Sequence, residues 1–180
     1  MNYSFNVKLD DRDYYEYNKF SLLKSHYGKR QMIMFRIFIA VIFLLFMVYF
    51  VFTHGFSYDS LIGAIVYLLV LAVFQILIIP LNKLILKIHL KILKKTGKMG
   101  YSPESVIEFC DETFTETTPD NKTEYKYSAV ERVSVYKGTV FIHVNNIMSF
   151  ILPHSAFESE EQFSAFIEFM KAKGKIINFY

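Results

Sequence analysis

Two long apolar runs, Ile37 to Phe52 and Leu61 to Leu81, are separated by a short polar turn. The first carries no charge, and Met32 to Arg36 extends it at one end. The second has Gln75 as its only strongly polar side chain. At about 1.5 Å rise per residue, each run is long enough as a helix to cross a hydrocarbon core of about 30 Å. The reading is a transmembrane hairpin over residues 32–82, with spans at about 32–52 and 61–81. Of the 180 residues, this leaves roughly 80 near the C-terminus for one small folded domain, which excludes a large enzyme.

The net charge of +3 conceals a segregation. From Tyr17 to Gly100 there are eleven Lys or Arg and one acid, Asp59, a net charge of +10; the rest of the chain holds nine basic and sixteen acidic residues, a net charge of −7. Lys19, Lys24, Lys29, Arg30 and Arg36 precede the first span, and Lys83, Lys87, Lys91, Lys94, Lys95 and Lys98 follow the second. The connecting stretch Thr53 to Ser60 has no Lys or Arg. The positive-inside rule then puts both termini in the cytoplasm of a multi-pass cell-membrane protein. The first run starts too late, is too long and lacks a small-residue cleavage site, so it reads as a retained span rather than a secretory signal.

Around the hairpin the pattern changes. Residues 1–31 read as a strand and a juxtamembrane helix. Asn2 to Leu9 alternates apolar and polar, the signature of a half-buried strand that must find its partners in the C-terminal domain. Asp10, Asp11 and Asp13 suit the start of a helix from about Arg12 to His26. Its tyrosines suit either a place among lipid headgroups or packing on the soluble domain. Within the spans, Gly63, Ala64 and Ala72 offer close helix approach, and Gln75 an interhelical hydrogen bond. Beyond Pro80, residues 83–100 read as a basic amphipathic exit helix and linker. Its Lys83, Lys87, Lys91, Lys94 and Lys95 are the expected contacts with the membrane surface, each contributing about 1 kcal/mol beside anionic lipid.

Residues 101–180 alternate at period two and end in a helical pattern. Strands are expected at Val106 to Cys110, Thr113 to Thr118, Lys122 to Tyr127, Arg132 to Tyr136, Thr139 to Val144 and Ile147 to Leu152, with turns such as Lys137-Gly138 and Asn145-Asn146. Ser159 and Gln162 form a capping box for a helix from Glu160 to Lys173, striped by Phe163, Phe166, Ile167 and Met170 and ended by Gly174. This is an antiparallel meander closed by one amphipathic helix.

Three short stretches then carry a resemblance: Phe114-Thr115-Glu116, Tyr125-Lys126-Tyr127-Ser128 leading to Val133, and Leu152-Pro153-His154-Ser155-Ala156-Phe157 before the Phe-rich terminal helix. With the two preceding spans and basic exit helix, they resemble the YcxB-like family of bacterial membrane proteins. The resemblance implies a PH-like fold for the C-terminal domain and carries over no catalytic residue. The expected class is thus an α+β membrane protein, a two-helix transmembrane hairpin plus a small PH-like antiparallel β domain closed by one amphipathic helix.

Catalytic constellations are hard to find. The single Cys110 permits neither an intramolecular disulfide nor a paired thiolate metal site, and the five histidines are scattered, so neither metal nor cofactor is expected. His143, mid-strand, reads as a solvent-face residue rather than a base. Glu158, Glu160 and Glu161 are acids collected at a helix N-terminus. No phosphate loop or nucleophile elbow is present, and the acidic domain disfavours nucleic acid. The expectation is a non-enzymatic, membrane-anchored interaction or scaffold protein. Its partners would be membrane lipid, a protein segment at the C-terminal domain and further copies of the chain. The alternative is an oligomeric transporter or channel subunit, disfavoured by apolar spans.

Overall fold

The computed structural model describes residues 2–97, 100–145 and 148–180. These fall into two compact units, one of the described residues within 2–20 and 94–180 and one of residues 21–93. The architecture is α+β, with two long apolar helices and two mainly antiparallel sheets.

In the first unit the alternation at the N-terminus becomes β1 (Tyr3–Lys8), with Phe5 and Val7 buried and Ser4, Asn6 and Lys8 exposed. It pairs antiparallel with β2 (Glu104–Phe109), Phe5 opposite Ile107, although about a hundred residues separate them. β3 (Thr113–Thr117) and β4 (Lys122–Lys126) continue the meander, giving the sheet order β1-β2-β3-β4. The second sheet has the order β7-β6-β5-β8, from β5 (Arg132–Tyr136), β6 (Thr139–His143), β7 (Ser149–Leu152) and β8 (Ile177–Phe179). Lys137 and Gly138, at φ of 52° and 78°, make the two-residue turn between β5 and β6 whose twist matches the flanking strands. The strand β8 was not expected; it runs parallel to β5, with Val133 opposite Ile177. Of the expected turn and strand start after Asn145, Asn146 and Ile147 lie outside the described residues.

Helix α4 (Glu160–Ala172) closes the unit. Ser159 Oγ accepts the backbone N–H of Gln162 at 3.2 Å, and Gln162 Oε1 accepts that of Glu158 at 2.7 Å. At the other end Gly174, at φ 75°, lets its N–H reach the Lys171 carbonyl (2.8 Å) and lets Lys175 N–H reach that of Met170 (3.2 Å). Phe166, Ile167 and Met170 are buried against Phe5, Phe109, Phe114 and Leu152. Phe166 packs edge-on to Phe5, ring centroids 5.0 Å apart.

The β5–β7 sheet is covered on its other face as well. Helix α1 (Asp11–Leu23) starts with a reciprocal cap, Asp13 N–H to Asp10 Oδ1 at 2.8 Å and Asp10 N–H to Asp13 Oδ2 at 3.3 Å. It lays Phe20 on Phe141 and Ile151, with Tyr14 and Tyr17 alongside. Of the two uses open to these tyrosines, the structure shows packing on the sheet.

In the second unit α1 ends at Leu23 rather than near His26, and α2 (His26–His54) follows after Lys24 and Ser25. Ser25 Oγ caps α2 by accepting Gly28 N–H at 3.0 Å. A Cβ on Gly28 would lie 2.0 Å from the Ser21 carbonyl oxygen, so only glycine fits this junction. α3 (Tyr58–Lys95) runs through Pro80 unbroken. Its 38 residues, at about 1.5 Å each, make a rod longer than a hydrocarbon core requires. Both helices are long and apolar enough to cross a membrane. They run antiparallel, with Phe50 against Tyr67 and Phe43 against Phe74, and a Cβ on Gly63 would meet the Phe50 ring at 2.3 Å. Gln75 and Arg36 bond reciprocally: Gln75 Nε2 donates to Arg36 O and Arg36 Nη2 to Gln75 O, each at 3.0 Å. Most other apolar side chains of the pair face outward, Ile76 at 73% and Leu45 at 64% exposure.

Candidate functional site

Alternation along β2 to β4 sends Ile107, Phe109 and Phe114 into the core, and the same face continues outward through Ser105, Glu116, Thr123 and Tyr125. Residues of the second sheet, Ser149 to Ile151, stand across from that end. The result is a cleft of about 520 Å³ bounded by β2, β3, β4, β7, α1 and the segment after Gly100. Four tyrosines line it: Tyr14, Tyr17, Tyr101 and Tyr125. Tyr14 and Tyr101 lie with ring centroids 4.8 Å apart, Tyr125 leans on Phe114 at 5.3 Å, and Tyr101 O–H donates to Asp11 Oδ1 at 3.0 Å. Glu116 stands opposite Thr123 and one pair from Tyr125. Burial lifts its carboxyl above the usual carboxylate range. Burial and the neighbouring Glu116 charge raise Tyr125, and burial with the hydrogen bond to Asp11 pushes Tyr101 up to about 12. Glu116 is the only acidic or basic residue among the described lining residues.

At the floor of the same cleft lies a hydrogen-bonded chain that corrects the reading of His143 as a solvent-face residue. His143 is 3% exposed. Tyr17 O–H donates to Ser149 Oγ (2.9 Å), Ser149 Oγ lies 2.7 Å from His143 Nδ1, and His143 Nε2 lies 3.2 Å from Ser134 Oγ. Both ring nitrogens of His143 thus have a serine hydroxyl as partner, and a hydroxyl can donate to or accept from either nitrogen of the imidazole. Burial, helped by the Arg132 charge, depresses its pKa to about 4 and keeps it neutral. The reason for the misreading is that β6 is covered on both faces: Val140 and Ile142 point into the main core, and Phe141 and His143 point under α1. Ser149 meets His143 as a serine–histidine pair would, but no carboxylate orients the ring, and its second nitrogen is held by a hydroxyl.

The lysines expected at the membrane surface all fall on the last turns of α3. Lys83, Lys87, Lys91, Lys94 and Lys95 are exposed. Lys94 forms an ion pair with Asp11, and the hydrogen bonds of Lys94 and then Tyr101 hold the Asp11 carboxyl below the usual range. Cys110 is exposed and unpaired, and among the described residues no three His, Cys, Asp or Glu side chains are grouped to hold a metal.

The cleft itself was not visible in the sequence. Glu116 entered the sequence analysis only as part of the Phe114-Thr115-Glu116 stretch, and the register with Ile107 and Thr123 sets it on the inner face. One signal was present, since Glu116 shares its parity with the apolar Phe114.

Residues 109–170, from the end of β2 through most of α4, match the family model of the YcxB-like proteins. Comparison with curated proteins and with solved structures gave no match.

Proposed function

Taking the YcxB-like segment as the premise, we propose that this chain is a membrane-anchored interaction or scaffold protein whose α2 and α3 cross the bilayer and hold a PH-like module at the inner leaflet. One observation carries the reading. The module is built from both sides of the helical pair, β1 before it and β2 to β8 after it, with β1 and β2 paired residue by residue. Chain ends that share a sheet lie on one side of a membrane, as two crossings require and one crossing forbids. The lysine and arginine count supports the cytoplasm as that side. The outward-facing apolar side chains of α2 and α3 support insertion, since in water they would form a patch far larger than a soluble monomer carries. Four antiparallel strands, three more in a second sheet that the parallel β8 extends to four, and helix α4 against the shared core support the PH-like assignment.

A transporter or channel subunit has less support, because Gln75 bonds the Arg36 backbone, Arg36 Nη2 bonds the Gln75 backbone, and the apolar runs Ile37 to Phe52 and Leu61 to Leu81 contain no ionisable side chain apart from tyrosine. The interaction reading is tested by site-specific photocrosslinking in native membranes. A photoreactive residue replacing Lys126, on the open edge strand β4, is expected to give a discrete heavier adduct that the same residue replacing Phe56 does not. Recovery of the uncrosslinked chain alone from both positions rejects it.

A further inference from the structure

We propose that the cleft between the two sheets binds an organic cation, a terminal alkylammonium group, through the Glu116 carboxylate and the tyrosine faces around it. Glu116 is drawn by strand register onto the inner face of β3, between Ile107 and Thr123, where an apolar or hydroxyl side chain would complete the sheet without desolvating a charge. Its carboxylate is half-buried, and among the described residues it has no cationic partner: the ion pairs of the unit involve Asp11, Glu16, Glu104, Asp111, Glu160 and Glu168 instead. A partly buried charge without a protein partner, set in a cleft, is where a ligand of opposite sign gains, because part of the cost of desolvating the carboxylate is already met by folding.

The rest of the lining suits such a ligand and no anion. Lysine, arginine and histidine are absent from the described lining residues, so a phosphate or carboxylate would face Glu116 unopposed. Tyr14, Tyr17, Tyr101 and Tyr125 line the cleft, and aromatic rings of this kind attract ammonium groups to their faces. Ser105, Thr123 and Ser149 add hydroxyl oxygens able to accept N–H bonds. The volume of about 520 Å³ admits an aminoalkyl chain and its head but is small for a folded element.

The assignment deepens the interaction reading by naming what the module recognises, and it rests on that reading only in treating the module as a recognition domain. Cation binding is measured on the purified full chain in lipid nanodiscs, so its loss and the absence of crosslinked partners are separate results. Three water-soluble probes are titrated by saturation-transfer NMR: putrescine, the tripeptide acetyl-glycyl-lysyl-glycine amide, and the same tripeptide acetylated on its side-chain amine. Saturable binding of at least one cationic probe is expected, with the acetylated tripeptide at least tenfold weaker than its charged form. Glu116→Gln should weaken the cation at least tenfold while preserving the circular dichroism of the module. Tighter binding of the tripeptide than of putrescine assigns the cation to a protein side chain, and the reverse order to a free amine. The proposal is overturned if neither cation binds, if the acetylated tripeptide binds as well as the charged one, or if Glu116→Gln leaves affinity unchanged. The probe comparison uses the natural chain alone and decides the matter even where the variant does not fold.

Discussion

Acidification acts on this fold through His143, and the size of the effect follows from its surroundings. It is the only buried histidine among the described residues, neutral between Ser149 and Ser134. In the unfolded chain its pKa is the ordinary 6.5; in the fold it is about 4. Between those values the unfolded chain takes up a proton that the folded chain refuses. The contribution is therefore fully present above 6.5 and is lost as pH falls towards 4. At about 1.4 kcal/mol per pH unit the whole loss approaches about 3 kcal/mol, and about 2.5 kcal/mol of it is realised by about pH 4.5. Glu116 and Asp13, with raised carboxyls, oppose this trend, while Asp11 and Glu161, with lowered ones, reinforce it. The informative quantity is thus the difference between the natural chain and His143→Gln, which can keep both hydrogen bonds but cannot titrate. Urea unfolding of the full chain in detergent micelles, followed by tyrosine near-ultraviolet circular dichroism at pH 7 and about pH 4.5, measures it. The natural chain should lose about 2.5 kcal/mol more than the variant on acidification. Equal losses would refute the account of His143 as a sealed neutral imidazole.

Phe5 is 1% exposed and touches the Phe157 and Phe166 rings at centroid distances of 5.0 Å, so Phe5→Ala should cost about 3–5 kcal/mol of module stability. A thermal melt of the full chain in detergent measures this loss, and in it Ser4→Ala on the outer face should stay within about 0.5 kcal/mol of the natural chain. Gly28→Ala drives a Cβ into the Ser21 and Leu22 carbonyl oxygens, and hydrogen exchange should report loss of protection at the Gly28 amide and the first turn of α2. Gln75→Leu removes the bond to the Arg36 carbonyl; in a detergent unfolding titration the helical pair should weaken by about 0.6 and at most about 1.7 kcal/mol.

Much of this architecture was legible because single residues carried decisive patterns. Phe5 and Val7 alternating with Ser4 and Asn6 identified β1, and the need of a lone strand for partners pointed to the distant sheet it joins. Ser159, Gln162 and Gly174 bounded α4 within a residue because capping is local chemistry. Reading failed where a second layer intervened. His143 looked solvent-facing because alternation presumes one wet face, and α1 covers that face through Phe20 and Tyr17. β8 escaped notice because Ile177 to Phe179 is too short to show a period and is held by a parallel partner far away in sequence. The cleft depends on register between three strands, which no single stretch encodes.

The central claim is that the module lies at the cytoplasmic face of a membrane that α2 and α3 cross. Cys110, exposed in the module and the only cysteine in the chain, reports on it directly. Treated with a membrane-impermeant maleimide, intact cells should leave Cys110 unlabelled, and the same cells after permeabilisation should label it fully. Labelling of Cys110 in intact cells would contradict the account.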